Sequence, residues 1–311
     1  MHQYTLFSND VETQSIWYNT LRDETGIKVL EEGMPLLLEI YEKYNIKSTF
    51  FFIADYAKKH PDVVRMVLSD GHEVASHGYT HEVDRAFDVL PLEKQIEHLQ
   101  ESKKILEDIS GQEVISFRAP ALRVNQNTAI ALAETGYKID SSVPSQRFDM
   151  FLSFGSSRKI KWLTAPRLPY RTKRDDLTKK GDGPIVEVPL SAMFFPYVGT
   201  TMRIFPRFTK LQRRFIHWES KRNKKPVVFD IHPNEFIDES NGEIRKIQRR
   251  AKNIVSYLLA DLVRSKLKVK NLGPKAVPLY EDEIRFYLER NYVFTTIRGY
   301  CERVLGVVGS R

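Results

Sequence analysis

The sequence predicts an α/β protein in which parallel strands, each followed by a helix, close into a barrel. Three observations predict it. Short apolar runs of strand length alternate with longer amphipathic stretches along the chain, and alternating β and α elements build parallel sheets. Seven or eight such units can be read from the chain, enough for a closed barrel. The ionisable residues collect directly after the apolar runs, and in a parallel barrel those strand ends converge on one face. An open doubly wound sheet fits less well. It would need a Gly-rich first turn to bind a dinucleotide, and Gly26 and Gly33 are too sparse and too late for that.

Each element has its own signal. Tyr4–Val11 reads as the first strand. Gly26–Tyr44 reads as a helix, because Ile27, Leu30, Met34, Leu37, Leu38 and Tyr41 recur at helical spacing. Ser48–Ile53 is aromatic and apolar throughout and reads as a buried strand. Pro61 opens a helix to Ser69 that Asp70-Gly71 closes. Glu73–Ser76 is a short strand, Leu92–Ile109 a helix ending at Ser110-Gly111, and Val114–Phe117 the next strand. A helix near Asn127–Thr135 stops at Gly136 and leads into a strand at Tyr137–Asp140. After a long Pro- and Arg-rich passage, Ile185–Val188 and Val227–Ile231 read as two more strands. Ile244–Lys266 reads as a long helix, and Val293–Thr296 as a last strand before a C-terminal helix. One domain over residues 1–311 is expected, with an insertion over about 145–225 and a helical extension over about 240–311.

Composition narrows the function classes. A hydrophobic content of 41% with 11% aromatics fills a sizeable core, so a disordered chain is excluded. Cys301 has no partner in the chain, which excludes an intramolecular disulfide and a four-Cys zinc site. The first residues carry neither a basic n-region nor an apolar h-region, and no apolar run reaches spanning length. A cytoplasmic protein is therefore expected.

The formal charge of +8 is not spread evenly. Residues 158–225 hold 18 Lys and Arg against Asp175, Asp176, Asp182, Glu187 and Glu219, a net of +13, while the remaining 243 residues carry −5. Within this segment, Met202–Lys225 interleaves Phe205, Phe208, Leu211, Phe215, Ile216 and Trp218 with cations. A basic amphipathic stretch of this kind can lie on an anionic membrane surface, so peripheral contact with the inner leaflet is one expectation. The alternative is that its apolar residues cap the barrel and its cations are solvated. Nucleic acid is not expected, because no recognised binding motif accompanies the charge.

The polar residues follow a pattern that hydrophobic periodicity does not explain. Asp10 and Glu12 follow the first strand, and His77 and His81 lie in Ser76-His-Gly-Tyr-Thr-His81 after the third. Arg118-Ala-Pro120 follows the fourth, Asp140-Ser-Ser142 the fifth, and His232-Pro233 the penultimate one. Each alone has an ordinary reading: a chance His pair, a turn carboxylate, an ion-pair arginine, a helix N-cap, a surface histidine. Their conjunction at five strand ends points instead to a divalent metal site. Two imidazoles with a nearby carboxylate suit a borderline ion such as zinc.

In this order, Asp-x-Glu, Ser-His-x3-His, Arg-Ala-Pro, Asp-Ser-Ser and a late His-Pro resemble the polysaccharide deacetylase superfamily (NodB-like, carbohydrate esterase family four). The stretches GMPLLLEIYEKYNIKSTFFF (33–52) and SDGHEVASHGYTH (69–81) also read as such enzymes do. The resemblance is close over roughly 4–142 and weaker over 185–236. It implies a distorted NodB-like (β/α) barrel of about seven parallel strands, with the basic insertion over the C-terminal face of the strands. It also implies a metal-dependent hydrolase, with Zn2+ the foremost ion and other divalent transition metals as alternatives. The substrate it implies is an N-acyl, in the first place N-acetyl, amino sugar of a glycan or lipid-linked saccharide. Asp10 would be the base, Glu12, His77 and His81 the metal ligands, and Arg118 the residue that orients the base. Asp140 would tune His232, the general acid. The adjacent Asp-Asp usual in the family is Asp-Val-Glu here, and glutamate reaches one methylene further, so the base and ligand roles of Asp10 and Glu12 are open to exchange. Two alternatives remain: another C–N hydrolase of the superfamily (a deformylase or cyclic amide hydrolase), and a carbohydrate-binding relative without turnover.

Overall fold

The computed structural model describes residues 2–146, 161–240 and 264–307. The strands in chain order are β1 (Tyr4–Val11), β2 (Thr49–Phe52), β3 (Glu73–Ser76), β4 (Ser116–Phe117), β5 (Ile139–Asp140), β6 (Tyr170–Lys173), β7 (Asp176–Lys180), β8 (Val186–Glu187), β9 (Ala192–Met193), β10 (Phe195–Pro196), β11 (Val227–Ile231) and β12 (Val293–Phe294). Seven of them run parallel in the spatial order β11-β1-β2-β3-β4-β5-β8. β12 adds parallel to the start of β1. The result is the expected curled sheet of a distorted barrel. Among the described residues the sheet does not close, because the antiparallel hairpin β6–β7 pairs with β8 at the edge where β11 would have to join.

Strand alternation divides the core in two. Phe7, Phe50, Phe52 and Phe117 face the helices that wrap the sheet, together with Leu37, Leu99 and Tyr280. Leu6, Phe51, Ala75, Ile139, Val186 and Val228 face the inside of the curl. Successive side chains point to opposite faces of a strand, so β1 and β2 feed both clusters. This explains their uninterrupted apolar sequences. The helix Ile297–Tyr300 and Cys301 plug the interior.

The helix expected over Gly26–Tyr44 forms as two segments, Asp23–Lys28 and Met34–Lys43, joined by a π-helical turn at Val29–Gly33. Pro35 lacks the N–H that would continue a single α-helical ladder there. Gly33 also lets this turn approach the loop after β11: a Cβ at position 33 would lie 2.5 Å from the carbonyl oxygen of Pro233.

The basic insertion is ordered in part by sheet extension and in part by helices. The helices Gly199–Ile204 and Pro206–Asn223 pack beside β11, and the first brings Thr200 and Arg203 to the rim of the strand ends. Sequence periodicity did not reveal the helix Val277–Leu288, whose Tyr280, Ile284 and Tyr287 are buried. The helix read over Ile244–Lys266 falls for the most part outside the described residues.

Candidate metal and catalytic site

The C-terminal ends of β1, β3, β4 and β11 bring Asp10, Glu12, His77, His81, Arg118 and His232 together. Ligand atoms of Glu12, His77 and His81 lie within 4.8 Å of one another, as do those of Asp10, Asp230 and His232. Between β3 and His81 the chain turns at Gly78, whose φ of +77° suits glycine and whose missing Cβ leaves room for the ring of Phe87. This turn returns His81 to the mouth of the site. Its Nε2 lies 2.9 Å from Oε2 of Glu12, but that buried oxygen has no hydrogen-bond partner. The His77 Nδ1–H donates to the backbone carbonyl of Arg118 at 2.8 Å. That bond fixes the tautomer and leaves Nε2 as the free lone pair, 3.7 Å from Oδ2 of Asp10. A buried carboxylate oxygen without a hydrogen bond, beside two converging imidazoles, is a donor set that fits a divalent cation.

The second cluster fits a cation less well, because Arg118 already supplies its positive charge. Arg118 is completely buried. Its Nη1 donates to Oδ1 of Asp10 at 2.8 Å, to Oδ1 of Asp230 at 2.6 Å and to Oγ of Ser8 at 2.9 Å. Nε and Nη2 donate to the carbonyl and hydroxyl of Ser141, and the guanidinium lies over the ring of Phe51 at 4.2 Å. Burial works against the Asp10 carboxylate, but the charges of Arg118, His77 and His232 outweigh it and hold its pKa down. Asp230 meets the opposite balance. Burial and the neighbouring Asp10 charge push its pKa up, against Arg118. Arg118 thus favours the charged form of Asp10, while the Asp10 charge disfavours that of Asp230.

His232 has partners that sequence reasoning missed. Its Nδ1–H donates to Oε1 of Glu235 at 3.2 Å, and Nε2 lies 4.0 Å from both Oδ2 of Asp10 and Oε1 of Glu12. Glu235 is in turn bound by Nε of Arg203, whose Nη1 also donates to the carbonyls of Lys268 and Lys270. Burial favours the neutral imidazole, yet Glu235, Asp230, Glu12 and Asp10 together raise the His232 pKa to about 10. Signals for two of these residues were present. Asp230 and His232 alternate on one strand face, and Glu235 follows His232 by three residues in a helical turn. Arg203, twenty-nine positions upstream of His232, left no local signal.

The expectation for Asp140 is corrected. Ile139 and Ser141 point into the curl, the latter onto Arg118, so alternation sends Asp140 to the other side of the sheet. There it accepts from the Ser142 hydroxyl at 2.6 Å and pairs with Glu187. The carboxylates that act on His232 are Glu235, Asp230, Glu12 and Asp10 instead.

Fold and site together define an α/β-barrel protein with a candidate metal centre at the strand ends. Residues 14–139 match the family model described as polysaccharide deacetylase. Over 123 residues the chain is 28% identical to the peptidoglycan deacetylase of Helicobacter pylori, a stretch that is 40% of this chain and 41% of that relative. The matched region thus spans about two fifths of that relative's length. Two solved structures share the fold over nearly the whole chain. One is a Mycobacterium smegmatis protein assigned to the polysaccharide deacetylases, with a TM-score of 0.64 and 17% identity over 98% of this chain and 92% of that one. The other is Puue allantoinase, with a TM-score of 0.61 and 16% identity over 97% of this chain and 91% of that one. The family model and the Helicobacter pylori relative agree with the resemblance that the motifs carry, over about two fifths of the chain.

Proposed function

We propose that this protein is a metal-dependent hydrolase that removes an N-acetyl group from an amino sugar of a glycan or lipid-linked saccharide. The observation that carries the reading is the convergence of Glu12, His77 and His81 beside an arginine-clamped Asp10 and a carboxylate-held His232. Glu12, His77 and His81 would hold the ion, with Zn2+ the first candidate. A divalent cation there supplies Lewis acidity, which makes a water nucleophilic near neutral pH and offsets negative charge on the carbonyl oxygen.

The remaining tasks fall to the chain itself. Arg118 fixes Oδ1 of Asp10, leaving Oδ2 to take the proton of the attacking water. Glu12 is the better ligand of the two carboxylates, since its Oε2 faces His81 and lacks a hydrogen bond. Nε2 of His232 is the acid that delivers a proton to the departing amine nitrogen. Glu235 holds Nδ1 of that ring, so Nε2 alone faces the cleft. Glu235 thereby takes the tuning role that the family resemblance assigned to Asp140.

Acetate release from a panel of N-acetylglucosamine oligomers, with metal content measured on the same samples, tests the proposal. Turnover that requires the bound metal is the expected result. Formate release from formamido sugars, or ring opening of a cyclic amide without deacetylation, would replace this reading with another C–N hydrolase. Sugar binding without turnover by metal-loaded protein would leave only a binding relative.

A further inference from the structure

The helix Pro206–Asn223 has two faces of different character. Its inner face, with Thr209, Gln212, Arg213, Ile216, Glu219 and Ser220, is buried against the fold. Leu211, Phe215 and Trp218 lie outside that buried set. They are exposed by 58%, 37% and 55%, and their i, i+4, i+7 spacing sets them in one stripe. Phe215 and Trp218 touch, with ring centroids 5.8 Å apart. The tip of the β9–β10 hairpin adds an aromatic ring from a different element. Phe194 is 59% exposed there and held at φ +61°, a left-handed backbone that is costly for an aromatic residue. The hairpin lies alongside the helix, since Gln212 donates to the carbonyl of Phe195.

Cations border this stripe. Arg207, Arg214, Lys221 and Arg222 are exposed, and no acidic residue is exposed between positions 205 and 224. Arg222 lies over the Trp218 ring. An apolar stripe of large side chains bordered by one sign of charge is the pattern of a helix that lies in the plane of a membrane interface. A second copy of the chain would present the same positive face and be repelled. A nucleic acid would leave the apolar stripe unused. No described helix is long and apolar enough to cross a membrane.

We propose that the outer face of Pro206–Asn223, with Phe194, docks peripherally on an anionic lipid bilayer. The contact stands on this face alone, whereas its use in presenting a lipid-linked substrate rests on the proposed function. The helix follows directly on Gly199–Ile204, whose Arg203 holds Glu235 at the site rim. A docked helix would set that rim close to the bilayer surface.

Flotation of the full chain with vesicles of phosphatidylglycerol and phosphatidylcholine tests the contact without reference to catalysis. The protein should float with the anionic vesicles at low salt and remain behind with phosphatidylcholine alone. Replacing Leu211, Phe215 and Trp218 together by Ser should weaken binding by on the order of a hundredfold. Each of Arg207→Gln, Arg214→Gln and Arg222→Gln should weaken it about fivefold, and Phe194→Ser should weaken it independently. Unchanged circular dichroism and thermal melting would show that the variants fold. Three outcomes would overturn the proposal: no binding to anionic vesicles by the folded protein, binding that the triple Ser variant leaves intact, or a dimer that the same variant converts to monomer.

Discussion

Oε1 of Glu235 lies 3.2 Å from Nδ1 of His232 and also accepts that residue's backbone N–H. One carboxylate oxygen thus sets both the ring orientation and the tautomer of the histidine facing Asp10. Glu235→Gln should therefore lower kcat about 10- to 100-fold with little change in KM. Because Glu235 raises the His232 pKa, the pH–rate limb that needs protonated His232 should move to lower pH in the variant. Asp140→Asn, on the other side of the sheet, should leave that limb in place. A shifted limb in Asp140→Asn and an unshifted one in Glu235→Gln would restore the role first expected of Asp140.

Asp10 and Glu12 should separate cleanly by metal content. Oδ1 of Asp10 is committed to Arg118, whereas Oε2 of Glu12 is buried without a hydrogen bond beside His81. Asp10→Asn should keep its metal and lose turnover by about 100-fold or more, as expected when a general base is removed. Glu12→Gln should purify with substoichiometric metal, and chelation should change its melting temperature less than that of the parent protein. Metal loss in Asp10→Asn with metal retained in Glu12→Gln would exchange the two roles. Elemental analysis with paired melting curves gives the answer.

The legible parts of the site were those with a fixed relation to a strand end. Asp10, His77, Arg118 and His232 each follow an apolar run, and parallel pairing carries those run ends to one face. Asp140 follows a run too, yet its position in the strand alternation turns it outward. The two-residue strand Ile139–Asp140 was too short for alternation to be read from sequence. Arg203 could not be placed, because it reaches Glu235 only through the packing of two elements distant in sequence. The hairpin β6–β7 was hidden by its charge: Arg171, Lys173, Lys179 and Lys180 are exposed, so the segment lacks the apolar run that marked the central strands.

Arg118 should prove as important to stability as to the arrangement of Asp10. Its Nη1 is the shared donor to Asp10 and Asp230, and all three side chains are buried. Arg118→Met would leave the buried Asp10 carboxylate without its counter-charge and Asp230 without a hydrogen-bond donor, a change that typically costs about 3–5 kcal/mol. Urea unfolding should show a lower midpoint at an unchanged slope. The double variant Arg118→Met/Asp230→Asn should recover part of the loss, since the residue beside Asp10 can then no longer take up a like charge. No recovery would mean that Asp230 is not coupled to Arg118.

Glu187 and Asp140 face each other across β5 and β8 and make a pH dependence that is separate from the site. Burial, then the Asp140 charge, pushes the Glu187 carboxyl well above its usual range, so the folded protein holds a proton there that the unfolded chain releases. For a group whose folded pKa is raised, the stabilisation is complete below the unfolded value. It is lost as pH rises towards and through the folded one. Glu187→Gln cannot titrate, and its amide can still donate to Asp140 while its carbonyl accepts from the Val143 N–H that now bonds Glu187. The parent protein should therefore lose stability relative to Glu187→Gln as pH rises above about 4.5. Paired thermal melts across that range should show the difference growing with pH. A constant difference would mean that Glu187 carries the same charge in the folded and unfolded states.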